Sequence, residues 1–212
     1  MNNNNIEKKM DQDNQLQNLY RRSGITKESC FHSSKRLERH NYLSLFSLII
    51  VAFSLIVLSI TTQIYFENAF IITFKKSIDL SMTAMSIFTL VISIIVSKCD
   101  FALNSDKFRR QAMEINELRI KLRPHLNSND KDHVIYKEIS DIYLNILSRH
   151  LIHKQIDYKI SNCESKYKKV LYEIQLFALE YFPYIFIILT SCTLLSLMFY
   201  GIYSTEISGE IC

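Results

Sequence analysis

Three stretches of this chain carry no charged residue and are long enough to cross a bilayer: 43–64, 80–97 and 182–203. Crossing about 30 Å of hydrocarbon takes roughly 20 mainly apolar residues in a helix, which satisfies every backbone hydrogen bond internally where no water can. An integral membrane protein is the only class that fits, and the remaining sequence must be arranged around these stretches.

The basic residues set the expected orientation. Lysine and arginine are dense before the first stretch, at Lys8, Lys9, Arg21, Arg22, Lys27, Lys35, Arg36 and Arg39, and again between Lys98 and Lys169. After Lys169 there are none, and the tail carries Glu206 and Glu210. Positive charge collects on the cytoplasmic side. The N-terminus and the long central segment are therefore expected in the cytoplasm, with the connector after the first span and the C-terminus outside.

Only 3 glycines and 2 prolines interrupt the 212 residues, so sheets and tight turns lack their usual punctuation and long helices remain. The expected fold class is an all-α membrane protein with two to three transmembrane helices and a long cytoplasmic helical hairpin or coiled coil. With about 60 residues in the bilayer, too little is left for a catalytic domain of ordinary size, and no enzyme is expected. A net charge of +4 could indicate nucleic-acid binding, but the excess lies beside the spans, where anionic lipid headgroups account for it. Direct nucleic-acid binding is therefore disfavoured. The five cysteines, Cys30, Cys99, Cys163, Cys192 and Cys212, have no CxxC spacing and read as free thiols.

Read along the chain, residues 1–25 are polar and expected to be flexible. Gly24 interrupts them, and Thr26 with Glu28 after it reads as a helix start. Residues 26–123 should hold a cytoplasmic helix running into the first span, the second span, and an amphipathic helix continuing from it without a break. Phe108, Ala112, Ile115, Leu118 and Leu122 form the stripe of that last helix, which Arg123-Pro124 should end. Residues 130–181 carry the most regular pattern. From Ile135 the positions Ile139, Ile142, Ile146, Arg149, His153, Ile156, Ile160, Cys163, Tyr167, Val170, Ile174 and Phe177 alternate in steps of four and three. That is a heptad seam or the buried face of an ordinary amphipathic helix. The part from Ile156 to Phe177 is the candidate oligomer seam, because such a face needs another helix to cover it, and a homo-oligomer is expected. One mismatch stands out. The outgoing helix to Arg123 reaches about 35 Å from the membrane, whereas an unbroken return would span about 75 Å. Either the return helix breaks near Arg149 to Gln155, or it packs on another helix. Residues 182–205 are the third apolar helix.

No nucleophile, paired-carboxylate, phosphate-loop or metal motif occurs at a working spacing, and no cofactor is implied. His150 and His153 lack a third ligand within a turn. Lys107, Arg109 and Arg110 could meet the phosphates of a nucleotide or a lipid, or form a solvated basic face. The second span carries more mechanism. At 100° per residue, Asp79, Ser86, Ser93 and Ser97 fall close to one line with Thr89 at its margin, a polar stripe that suits the lining of a pore assembled from several copies. The first span repeats the theme with Ser47, Ser54 and Thr61. Small hydroxyl residues also let membrane helices approach closely, and both readings stay open for both stripes.

Three segments together resemble the SLATT family of small bacterial membrane effectors: KESCFHSSKRLERHNYLSLFSLIIVAFSLIVLSI, SMTAMSIFTLVISIIVSKCD and ALNSDKFRRQAMEINELRIKLRP. The resemblance covers Thr26 to Arg123 and extends to the remainder by layout. It implies a pore-forming or membrane-disrupting effector in the bacterial inner membrane, acting in abortive infection against phage. The implied partners are membrane lipid and a nucleotide second messenger, an operon-encoded SLOG-type sensor or a reverse transcriptase. The rival reading is a membrane-anchored adaptor that docks a partner without forming a pore. The third apolar segment departs from a two-span description.

Overall fold

The structure, a computed structural model, describes residues 3–126, 133–149, 154–163 and 165–210. All regular structure among them is helical: α1 Asn3–Ile64, α2 Ala69–Cys99, α3 Phe101–Leu126, α4 His133–Arg149, α5 Gln155–Ser161, α6 Lys166–Leu176, a π-helical turn Phe177–Tyr181, and α7 Phe182–Glu210. Three helices are long and apolar enough to cross a membrane, containing the three charge-free stretches. The chain divides into two compact units, one of residues 1–39 and 101–176 and one of residues 40–100 and 177–212.

The first unit is the charged, water-suited part. Its core lies between α1, α3 and α4. Leu16 and Leu19 pack with Leu118, Leu122, Ile139 and Tyr143, and Cys30 packs with Phe108, Ala112, Ile115 and Ile146. Every residue of the stripe expected on α3 is buried. The N-terminal segment departs from expectation. From Leu16 onward it supplies core residues, and α1 starts at Asn3 rather than Thr26. Thr26 lies inside the helix, its hydroxyl on the Arg22 carbonyl at 3.0 Å and the Tyr143 hydroxyl at 2.8 Å. Gly24 breaks nothing. Its missing side chain makes room for the Arg119 guanidinium, whose Nη2 would lie 3.1 Å from a β-carbon placed there and whose carbon sits 4.2 Å over the Tyr20 ring.

The continuous heptad helix over 130–181 does not form. Both ways out of the length mismatch are used: the return segment is interrupted between α4, ending at Arg149, and α5, beginning at Gln155, and α4 packs on the N-terminal helix through Ile139 and Tyr143. The reason is in the contacts. From Thr26 to Arg36 α1 rises about 15 Å, whereas an unbroken helix from Tyr143 to Asp157 would rise about 21 Å, and the extended backbone at Lys154 interrupts that rise so that both pairs meet.

The second unit holds the apolar helices. Asn68 caps α2, its side-chain oxygen accepting the Phe70 amide at 3.0 Å and the Thr205 hydroxyl at 2.9 Å. Most of the expected connector therefore belongs to α2. Leu58, Ile71, Met198 and Ile202 form the core beside this cap. The expected unbroken run from the second span into α3 is also corrected. Asp100, with φ 43° and ψ 44°, ends α2 in the left-handed region, which a short polar side chain tolerates better than most. Pro124 falls within the last turn of α3 rather than stopping it at Arg123.

Candidate functional site

The face that α1 buries is the first feature of consequence. Leu16, Leu19, Ser23, Cys30, Ser33, His40, Ser44, Ser47, Val51, Ser54, Leu58 and Thr61 are buried, and with half-buried Thr26 and Leu37 they alternate in steps of three and four along the helix. This is the regular seam of the molecule. Sequence reasoning placed the seam on the return segment because its members there are isoleucines. On α1 they are mostly small and polar. Their hydroxyls bond back to carbonyls of their own helix, Ser47 to Ser44 at 2.9 Å, Ser54 to Ile50 at 2.8 Å and Thr61 to Val57 at 2.8 Å, so burial leaves them satisfied and lets neighbouring backbones approach.

Within the first unit this seam carries a buried clamp. The Arg36 guanidinium donates to both Asp157 oxygens, from Nη2 at 2.8 Å and Nε at 3.2 Å, and the Ser33 hydroxyl donates to Asp157 Oδ2 at 2.7 Å. The arginine side chain is 6% exposed and the aspartate 1%. Asp157 stands in the first turn of α5, a helix with Ile160 as its only buried apolar side chain. Polar contacts therefore fix this short helix. Burial, reinforced by the Asp157 carboxylate, pushes the nearby Cys30 thiol up to about 12 and keeps it protonated. The Ser34 and Ser105 hydroxyls, also buried, lie 3.1 Å apart.

In the second unit His40 meets Glu180, Nε2 to Oε2 at 2.7 Å, with the Tyr184 hydroxyl 3.4 Å from Nδ1 and the Tyr181 ring 4.9 Å away. Glu180 sits in the π-helical turn, whose extra residue re-aims side chains just before the apolar run of α7 begins. Neither pair was singled out from sequence. Arg36 entered only among the basic residues that set the orientation and Asp157 not at all, and only the series at seven-residue intervals, 26, 33, 40, 47, 54 and 61, all hydroxyl residues except His40, points to α1.

The residues that were singled out separate cleanly. The stripe of the first span is consumed in packing, whereas on α2 Asp79, Ser86, Ser93 and Ser97 are exposed and Thr89 is half-buried. In the most apolar windows of the spans, 28% of residues are buried in the first and 22% in the third, against 0% in the second. Lys107 and Arg109 are exposed, and Arg110 pairs with Asp106 at 2.8 Å along the same helix face. Of the expected seam, Ile160 is buried within the chain and Ile156 and Cys163 are half-buried. Tyr167, Val170, Ile174 and Phe177 are exposed, Tyr167 at 89%. His150 and His153 lie outside the described residues.

A helical membrane protein results, in which a polar-clamped helical unit shares one long helix with the membrane spans. The chain belongs to the family of SMODS and SLOG-associating 2TM effector domains, family 5, whose model matches residues 12–202. The match takes in most of the third apolar helix, so that helix lies within the family pattern although the description counts two spans. The chain is thus a membrane-associated effector of that class. No curated protein and no solved structure matches it.

Proposed function

We propose that the chain is a pore-forming effector of the bacterial inner membrane, serving abortive infection, in which several copies assemble with α2 around a conduit. The observation that carries this reading is the contrast between the two polar stripes. That of α1 is buried against its own chain, whereas on α2 Ser86, Ser93 and Ser97 are exposed, with Ser86 bonding back to the Thr83 carbonyl at 2.8 Å. Polar groups in a bilayer turn toward a partner or a water-filled cavity, and a ring of α2 helices offers both. No charged group lies in the middle of the α2 span, which suits a passive path rather than a coupled transporter.

In this reading the first unit is cytoplasmic, as the positive-inside distribution requires, and receives the trigger, a nucleotide signal or an operon-encoded sensor or reverse transcriptase. The chain acts without catalysis. The exposed face from Tyr167 to Phe177 joins copies to one another, and Lys107 and Arg109 suit phosphate groups of lipid. The same exposed face favours one rival, an adaptor that docks a partner and uses its spans only as a tether. Induced expression in host cells with the trigger present separates them: a potential-sensitive dye should report depolarisation for the pore and an unchanged potential for the tether.

A further inference from the structure

We propose that a groove between α2 and α7 is a binding site for one hydrocarbon chain of a membrane lipid, which wedges the two helices apart and keeps the polar stripe of α2 turned outward. The inference rests on the reading of these helices as membrane spans. At one end they are tied together: the Phe70 ring seats against Gly201, where an added β-carbon would come within 2.5 Å of it, and Asn68 holds Thr205. Further along they separate around a groove of about 550 Å³, with Met85, Phe88 and Ile92 on one wall, Phe186 and Leu194 on the other, and Val51 of α1 also lining it.

The lining selects the occupant. Three of the four hydroxyls on the walls are already used within their own helices, Thr89 on Met85 at 2.7 Å, Thr190 on Ile187 at 2.9 Å and Ser191 on Ile187 at 3.0 Å. A polar ligand would find almost nothing to bond. A single lipid chain needs no hydrogen bonds, and the apolar walls suit it.

The placement also carries a consequence. At 100° per residue Ser81, Met85, Phe88 and Ile92 centre about 140° from the line of Asp79, Ser86, Ser93 and Ser97. The chain-filled groove therefore backs α2 on the side nearly opposite its polar face. Emptying it would let α2 fall onto α7 and rotate that face away from the position a conduit requires.

The chain contains no tryptophan, so a single introduced one reports its own surroundings. Full-length Phe186→Trp and, as a control one turn along the same helix and outside the groove lining, Leu189→Trp would be reconstituted in phosphatidylcholine brominated along its acyl chains, then transferred to a non-quenching detergent. In vesicles both should be quenched. After transfer the tryptophan at 186 should stay quenched by a retained chain while that at 189 recovers, and adding Ala84→Phe to fill the groove should release the quenching at 186. Recovery at both positions would overturn the proposal, as would a tryptophan at 186 that is never quenched in vesicles while 189 is, the signature of a second copy in the groove. Absence of quenching at both positions in vesicles would instead refute the membrane reading. The comparison of 186 with 189 decides even where Ala84→Phe fails to insert.

Discussion

Arg36 grips both oxygens of Asp157, at 2.8 and 3.2 Å, with both side chains almost wholly removed from water. A buried pair of this kind contributes little net stability against an apolar replacement, because desolvation offsets most of the attraction, but breaking it strands a charge. Arg36→Leu or Asp157→Ala alone should therefore cost about 3 to 5 kcal/mol in the first unit, while Arg36→Met combined with Asp157→Leu should cost far less. Hydrogen exchange of the α5 amides measures this. Equal protection in single variants and wild type would show that α5 is held by other contacts.

Cys30 titrates in the alkaline range. Its thiol is raised from an ordinary 9.0 to about 12, so folded and unfolded chains are both neutral there below pH 9. Between pH 9 and about 12 the unfolded thiol ionises and the folded one does not. Stability attributable to this group is therefore intact at neutral pH and falls as pH rises through that window. Cys30→Ala should flatten the alkaline loss seen by thermal unfolding, and the native thiol should resist maleimide at pH 8. Rapid labelling of Cys30 in the folded protein would contradict the buried position.

Gly201 and Phe70 should be coupled. Gly201→Ala puts a methyl group into the ring, so α7 or Phe70 must shift, and Phe70→Ala should recover part of the loss by vacating the space. A double-mutant cycle on thermal stability in detergent reads the coupling, and strict additivity of the two changes would mean that the helices do not meet there.

Orientation is tested by thiol labelling of intact cells. An impermeant maleimide should reach Cys212 and spare Cys163, since basic residues end at Lys169. The reverse pattern would invert the topology and place the first unit outside.

What the sequence made legible follows from how each feature is encoded. The spans and the stripe Phe108, Ala112, Ile115, Leu118 and Leu122 were readable because they are apolar, and apolarity is what periodicity detects. The seam of α1 was not, because Ser33, Ser44, Ser47 and Ser54 are buried for their size rather than their hydrophobicity. Conversely, Val170, Ile174 and Phe177 have the spacing of a core but are exposed. Asp157 hid because a lone carboxylate on a short helix looks solvated until Arg36 and Ser33 are seen to enclose it. Gly24 misled as a breaker, since its role is to admit Arg119.

The central claim is that the stripe on α1 is structural and the stripe on α2 lines a conduit. Dye-reported depolarisation of host cells expressing the protein with its trigger, scored beside membrane abundance, tests it most directly. Ser86→Leu with Ser93→Leu should abolish depolarisation at unchanged abundance, because leucine is at home in hydrocarbon and dewets a narrow pore. Ser47→Leu with Ser54→Leu should instead lower abundance by forcing packed helices apart. Wild-type depolarisation from the α2 variant, present in the membrane at full level, would contradict the account and leave the tethered adaptor in its place.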